Sequence, residues 1–151
     1  MTEKIISWCD LESLIVNSSI KDKYNNVDLV VSIGSGGMTP GVIISKMLNK
    51  RVVNIGVKSY AIGDKQTFKA EWYQDFKFKK SLHKKILIVD DINDTGYTFH
   101  SVNCHLMSQY FTENDVFFLS MYMKPHTTFT ADYLQMVNND TWLKFPWEVA
   151  Q

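Results

Sequence analysis

Apolar and polar positions fall along this chain in blocks of two kinds. The first kind is a short apolar run: DLVVSI, Asp28 to Ile33, is rich in β-branched residues and stops at Gly34, Gly36 and Gly37. Such a run predicts a strand buried on both faces of a sheet. RVVNIGV up to Val57, KILIVDD up to Asp91, and Val116 to Met121 read the same way. The second kind has helical spacing. Asp10 is a candidate cap for a helix through Leu11, Leu14 and Ile15 toward Tyr24, its carboxylate complementing the helix dipole. Pro40 suits the first turn of a helix carrying Val42, Ile43, Ile44, Met47 and Leu48, and a further helix is predicted from Thr98 to Tyr110.

Strands alternating with helices predict an α/β fold, with a mostly parallel central sheet flanked by helices and a ligand crevice beyond the carboxyl ends of the strands. From Lys58 to Lys85 no period is sustained, and this stretch is expected to be a long loop, a feature usually tied to function or movement. The tail from Lys124 onward, rich in aromatics and turn formers, is expected to be an appended lobe. One domain over 1–151 is expected, with a core of about 10–123 and a small C-terminal hood built from the N-terminal segment and 124–151.

The 151 residues hold 16 Lys+Arg against 16 Asp+Glu, with 45% hydrophobic and 13% aromatic residues, so disorder is excluded and a core without staples is expected. Zero net charge argues against a nucleic-acid partner, whose phosphates need many cations. Any phosphate site is then local. Cys9 and Cys104 lie far apart with no metal-binding spacing. No signal-like apolar core opens the sequence and no run approaches the ~20 residues of a membrane span, so a cytoplasmic protein is expected.

The richest segment chemically is ILIVDDINDTGYTF, Ile86 to Phe99. A glycine permits close backbone approach, a helix start offers N–H groups, and the Thr95 and Thr98 hydroxyls add donors, which together suit a phosphate dianion. Asp90 and Asp91 can accept from a ribose diol or hold Mg²⁺, a cation that prefers oxygen ligands and substrate phosphates. Asp94 is free for proton transfer. The string resembles the phosphoribosyl-pyrophosphate signature of the type I phosphoribosyltransferases: a strand, two acids, a hydrophobic pair and Asp-Thr-Gly.

SIGSGGMTPG also joins a strand to a helix; it lacks the Lys-Ser/Thr of a Walker loop, and no acid ends the next strand as a dinucleotide fingerprint requires. In the family it resembles the pyrophosphate loop, where relatives of the bacterial xanthine-guanine kind usually carry Arg-Gly-Gly. Here Ser35 stands in the Arg position while Gly36, Gly37 and Pro40 fit. A guanidinium grips pyrophosphate bidentately and a hydroxyl gives one neutral hydrogen bond, so slower catalysis is expected. Thr39 and a lysine among Lys58, Lys65 and Lys69 are the candidates to compensate.

Lys124-Pro125, and Asp140-Thr141-Trp142-Leu143 ahead of Phe145-Pro146-Trp147-Glu148, resemble the base-binding hood of the 6-oxopurine enzymes of this family. There a lysine reads the 6-oxo group and an aromatic stacks on the ring. Ser7-Trp8 resembles the family as well, and Ser59-Tyr60 resembles the start of its mobile loop.

The resemblance implies transfer of a phosphoribosyl group from phosphoribosyl pyrophosphate to guanine, xanthine or hypoxanthine in purine salvage, with Mg²⁺ as cofactor and assembly as a homodimer or homotetramer. It assigns the sugar donor to Ser35, Gly36, Gly37, Asp90, Asp91, Asp94, Thr95, Gly96, Tyr97 and Thr98. Asp94 is its catalytic residue, Asp91 with Asp90 its metal ligands, and Lys124, Trp142 and Leu143 its base contacts. Two other readings stand beside it: a catalytically weak nucleotide-binding regulator, motivated by Ser35, and a pyrimidine-base transferase, which leaves Lys124 and Trp142 without a role.

The other candidates read as structural. His100 and His105 are about 140° apart on their predicted helix, too far for one metal face. Lys77, Lys79, Lys80, Lys84 and Lys85 form a basic run expected to be a solvated face, with a role in steering anions open to it.

Overall fold

The computed structural model describes residues 1–63 and 68–148. Ser7, not Asp10, caps the first helix, α1 (Trp8–Val16). The Ser7 hydroxyl accepts from the Asp10 N–H and the Asp10 carboxylate accepts from the Ser7 N–H, a reciprocal capping box that satisfies two orphan donors. The helix expected to reach Tyr24 stops at Val16 and resumes as the single turn α2 (Ile20–Lys23). The three intervening residues are Asn17 and two serines, which favour local side-chain bonds over a continuing helix.

The predicted strands are present as β2 (Leu29–Gly34), β3 (Arg51–Ala61), β5 (Ile86–Asn93) and β6 (Val116–Met123), and the predicted helices as α3 (Met38–Leu48) and α4 (Tyr97–Met107). With β4 (Phe68–Gln74) and β7 (Asp132–Met136) they build a six-stranded sheet in the order β4-β3-β2-β5-β6-β7, parallel except for the antiparallel β4. One apolar cluster lies on the face with Leu11, Ile15, Ile44, Leu87 and Val89. The other joins Ile86 and Ile88 to Phe99, Val102 and Leu106 of α4. The sheet is thus covered by helices on both faces, as a mostly parallel sheet requires.

Two expectations change here. The stretch from Lys58 is not a long loop: β3 runs on to Ala61, and β4 pairs back along it through Gln74, with Ser59 opposite Ala70 and Tyr60 opposite Lys69. Phe68, Ala70 and Trp72 alternate with Lys69 and Glu71, a period of two, and the apolar set leans on α4, where Phe68 stacks on Tyr97 at 4.7 Å.

Nor is the tail wholly a lobe. Its strand β7 extends the main sheet beside β6. The connection between them, residues 124–131, contains no helix, so the alternation that marked the earlier strands gives no signal there. Only β8 (Thr141–Lys144), pairing in parallel with β1 (Thr2–Ile5), and the short turn of 3₁₀ helix Pro146–Glu148 stand apart as a two-stranded cap. Among the described residues no helix is long and apolar enough to cross a membrane.

Candidate active site

β2 and β5 are neighbours, yet the chain leaves β2 through α3 toward β3 on one side and leaves β5 through α4 toward β6 on the other. This reversal opens a crevice beyond the carboxyl ends of β2 and β5, the usual ligand position in such sheets. Both chemistry-bearing segments of the sequence end there. The first, Gly34–Gly37, follows β2 and includes a cis peptide between Gly34 and Ser35.

Close approach is why glycines occupy this turn. A Cβ on Gly37 would stand 2.4 Å from the Val89 carbonyl, and one on Gly36 would stand 2.2 Å from Asp91 Oδ2. The turn therefore lies directly on β5 and on the second acid. Tyr73 on β4, which the sequence did not single out, donates its hydroxyl to the Gly34 carbonyl at 2.6 Å.

The second segment is the end of β5. The pleat sends Asp90 with Ile88 toward the α4 side and Asp91 with Val89 toward the α3 side. Both still line one cavity of ≈ 240 Å³ that continues along residues 92–96 to Thr98 and Phe99. Burial and the neighbouring Asp91 charge hold the Asp90 carboxyl well above the ordinary carboxylate range. Burial also pushes Asp91 up to about 6, with the Glu148 charge from the cap adding to the shift. In register opposite Asp90, Ser120 Oγ is the one buried side-chain oxygen without a partner among the described residues.

The pair is thus short of positive charge. Its donors are all oxygens, and the described residues contain no cluster of three His, Cys, Asp or Glu that would cage a metal. That set fits Mg²⁺, which is held by one or two carboxylates together with substrate phosphates.

Gly96 precedes α4 at φ +90°, where a Cβ would meet the Phe129 nitrogen at 2.7 Å and Thr127 Oγ1 at 2.8 Å. The Gly96 cap position offers no side chain and Thr95 Oγ1 accepts from the Tyr97 N–H at 3.3 Å, so of the first-turn donors of α4 the Thr98 and Phe99 N–H groups are left without helical partners. Thr127 and Phe129 belong to a segment stitched onto the end of β5. The Lys124 N–H donates to the Asn93 carbonyl (3.1 Å), the Thr128 N–H to the Thr95 carbonyl (3.0 Å), and Thr127 Oγ1 to Asn93 Oδ1 (2.8 Å). This stitching brings an ammonium and an imidazole to Asp94. Lys124, only 6% exposed, places Nζ 3.2 Å from Asp94 Oδ2, and His126 Nε2 lies 2.5 Å from Asp94 Oδ1.

Not every expected residue joins them. Ser35 is exposed on the turn. Among the described residues no hydrogen bond or ion pair ties Lys58 or Lys69 to it, and Lys65 lies outside the described residues. Ser59 and Tyr60 sit within β3, where Ser59 Oγ is 3.3 Å from Ser101 Oγ and the Tyr60 hydroxyl donates to Glu71. Tyr97 turns its ring onto Phe68, and its backbone N–H donates to Thr95 Oγ1 at 3.3 Å. Trp142, 54% exposed, lines a separate small cavity with Glu3, Lys144 and Glu148, and the Leu143 side chain is buried in the core. Leu143 can therefore meet a base only through its backbone.

Besides Tyr73, sequence reading missed His126. It stands two places after Lys124 in an irregular segment, and no local pattern links it to Asp94, 32 positions earlier.

A family model described as the phosphoribosyl transferase domain matches residues 10–150. The chain belongs to that family. It is 34% identical over 130 residues to a xanthine-guanine phosphoribosyltransferase of Roseobacter denitrificans, covering 80% of this chain and 68% of the relative. A purine phosphoribosyltransferase from Pyrococcus horikoshii superposes with a TM-score of 0.77 at 25% identity, covering 98% of this chain and 95% of that one. The xanthine-guanine-hypoxanthine phosphoribosyltransferase of Helicobacter pylori has the same fold, with a TM-score of 0.75 at 23% identity, over 98% and 95%. The six-stranded core with its crevice at the β2/β5 reversal is therefore the type I phosphoribosyltransferase fold.

Proposed function

We propose that this protein moves the 5-phosphoribosyl group of phosphoribosyl pyrophosphate onto a 6-oxopurine, guanine, xanthine or hypoxanthine, giving the nucleoside monophosphate and pyrophosphate. The observation that carries this reading is the Lys124–Asp94 pair, 3.2 Å apart and immediately before the Thr95–Thr98 turn. A cation for a purine carbonyl, a carboxylate for a ring proton and a cradle for a sugar phosphate then lie side by side.

In the transfer the bond from the anomeric carbon to pyrophosphate breaks as the bond to the base nitrogen forms, and the base gives up its imidazole-ring proton. Thr95, Gly96, Tyr97 and Thr98 hold the 5-phosphate through N–H groups and hydroxyls. Asp90 and Asp91 accept from the ribose hydroxyls. Asp91, with Asp90, would hold Mg²⁺, which when bound offsets the charge of the departing pyrophosphate. Lys124 leaves Asp94 Oδ2 for the purine 6-oxo group, and the freed oxygen takes the proton while His126 retains Oδ1. The backbone at Leu143 accepts from the base, whereas Trp142, which lines a separate cavity, has no stacking role.

Ser35 favours a second reading, a nucleotide-binding regulator with little turnover, because among the described residues no cation is tied to the Gly34–Gly37 turn where the family resemblance implies an arginine. A base-panel assay separates the two. With phosphoribosyl pyrophosphate and Mg²⁺, pyrophosphate release is expected with at least one of guanine, xanthine and hypoxanthine and not with uracil or orotate. Tight nucleotide binding with no release on any base would sink the transferase and leave the regulator.

A further inference from the structure

The chain contains one arginine, Arg51, and it is at the opposite end of the molecule from the proposed pyrophosphate turn. Arg51 opens β3 and pairs with Leu29, the first residue of β2. Five residue steps along β2 separate that level from Gly34, about 17 Å at strand spacing. Here a cavity of ≈ 580 Å³, within the range of small-molecule sites, gathers five cations from separate parts of the fold. Lys46 and Lys50 come from the end of α3, Arg51 from β3, and Lys77 and Lys79 from the segment after β4. No Asp or Glu lines it, and among the described residues none of the five is in a salt bridge.

In a chain with zero net charge, nearly a third of the cations converge on one acid-free hollow. Complementing the carbonyl end of α3 accounts for Lys46 and Lys50. It leaves Arg51, Lys77 and Lys79 unexplained, since they arrive from other elements.

The wall carrying Lys77 and Lys79 is built. The His83 N–H donates to the Lys79 carbonyl at 2.7 Å, and the Lys79 N–H donates to His83 Nδ1 at 2.9 Å. The Tyr110 hydroxyl donates to the His83 carbonyl, and the Lys84 and Lys85 N–H groups both donate to Asp28. Phe76 packs edge-on to His83 at 5.5 Å and, with Leu82, gives the cavity an apolar side. Cations around one part and an aromatic, apolar surface on another match a flat ring that bears several phosphate charges.

We infer that this cavity is a second ligand site, separate from the transfer site, that binds a nucleoside triphosphate with its phosphates on Arg51, Lys46 and Lys77 and its base against Phe76. Arginine suits this role because its planar fork binds phosphate oxygens bidentately.

Because Arg51 is the only arginine, its side-chain Nε–H gives one assignable signal in a ¹⁵N spectrum, and the Gly96 amide reports the transfer site in the same sample. Titration with ATP or GTP should shift the Arg51 signal saturably, with a Kd below about 1 mM, at least ~10-fold tighter than inorganic triphosphate. Lys46→Gln/Lys77→Gln should weaken that response ~10-fold and leave the Gly96 response intact, with Arg51→Gln followed by calorimetry as the second variant. Equal affinity for inorganic triphosphate would remove the base from the proposal. An Arg51 signal that drifts with ionic strength alone, as in matched KCl, would overturn it. Loss of activity on every base in the transfer assay would leave this readout unaffected.

Discussion

Asp94 is where one side chain's neighbours matter most. Its two oxygens have different partners, a nearly buried ammonium on one and an imidazole on the other, so it is oriented before any ligand arrives. Removing the carboxylate charge while keeping its shape, Asp94→Asn, is expected to lower kcat by about 10²–10⁴ with little change in KM, the range for a lost general base. In the proposed transfer His126 acts through Asp94, as a positioning residue. His126→Ala should lower kcat by roughly 10-fold at near-constant KM for the base, and His126→Gln, whose amide can donate to the same oxygen, should recover part of the loss. Steady-state kinetics of the three variants check this; equal losses in the Ala and Gln variants would reduce His126 to packing. Asp94 and Thr95 stand out in the motif that ends β5, and Lys124 is pointed to by the family resemblance. His126 is not, because its partner is distant in sequence and only the stitching of 124–129 onto 93–95 brings it there.

Among the elements, the turn before α4 shows how tightly backbone path and ligand cradle are coupled. Gly96 adopts a left-handed conformation and lies against the Phe129 backbone. An alanine there meets both a strained φ, about 1–2 kcal/mol for an L-residue, and a backbone atom that cannot swing aside. Gly96→Ala is therefore expected to lower stability by about 2 kcal/mol or more in urea unfolding and to abolish phosphate binding in the folded fraction. A variant with unchanged stability would show that the 124–129 segment yields easily. The β3–β4 hairpin teaches the converse lesson. Phe68, Ala70 and Trp72 alternate with charged neighbours, so its strand period is present in the sequence. It is hidden by the flanking lysines and by the register shift at Gly56/Val57.

For the whole molecule, the buried diacid links stability to pH. Asp91 in the folded chain titrates near 6, above the ordinary carboxylate value, and Asp90 is raised too. The folded state therefore holds more protons than the unfolded one between about pH 4 and 6. The diacid's contribution to stability is greatest below that window, falls as pH rises through it, and stays lower above it. Asp91→Asn removes the charge that causes the loss. It is expected to stabilise the metal-free protein by roughly 1–2 kcal/mol at pH 7.5 and to give no gain at pH 4. Thermal melts at the two pH values test this, and a variant less stable at both would show that Asp91 is anchored by contacts stronger than its burial.

The amino-acid sequence by itself determined the layered α/β core and the diacid turn. Runs such as DLVVSI and ILIVDD can be buried only as central strands, and glycines at strand ends can serve only where backbone comes close. It also determined the charge total. The tertiary structure decided how that charge is distributed and which distant groups meet. It placed β7 in the main sheet through a helix-free connection and set His126 against Asp94. It also carried the lone arginine to the far end of the sheet among four lysines. The physical reason is range: hydrophobic period and turn chemistry act over a few residues, whereas electrostatic contacts depend on distances that only the packed chain sets.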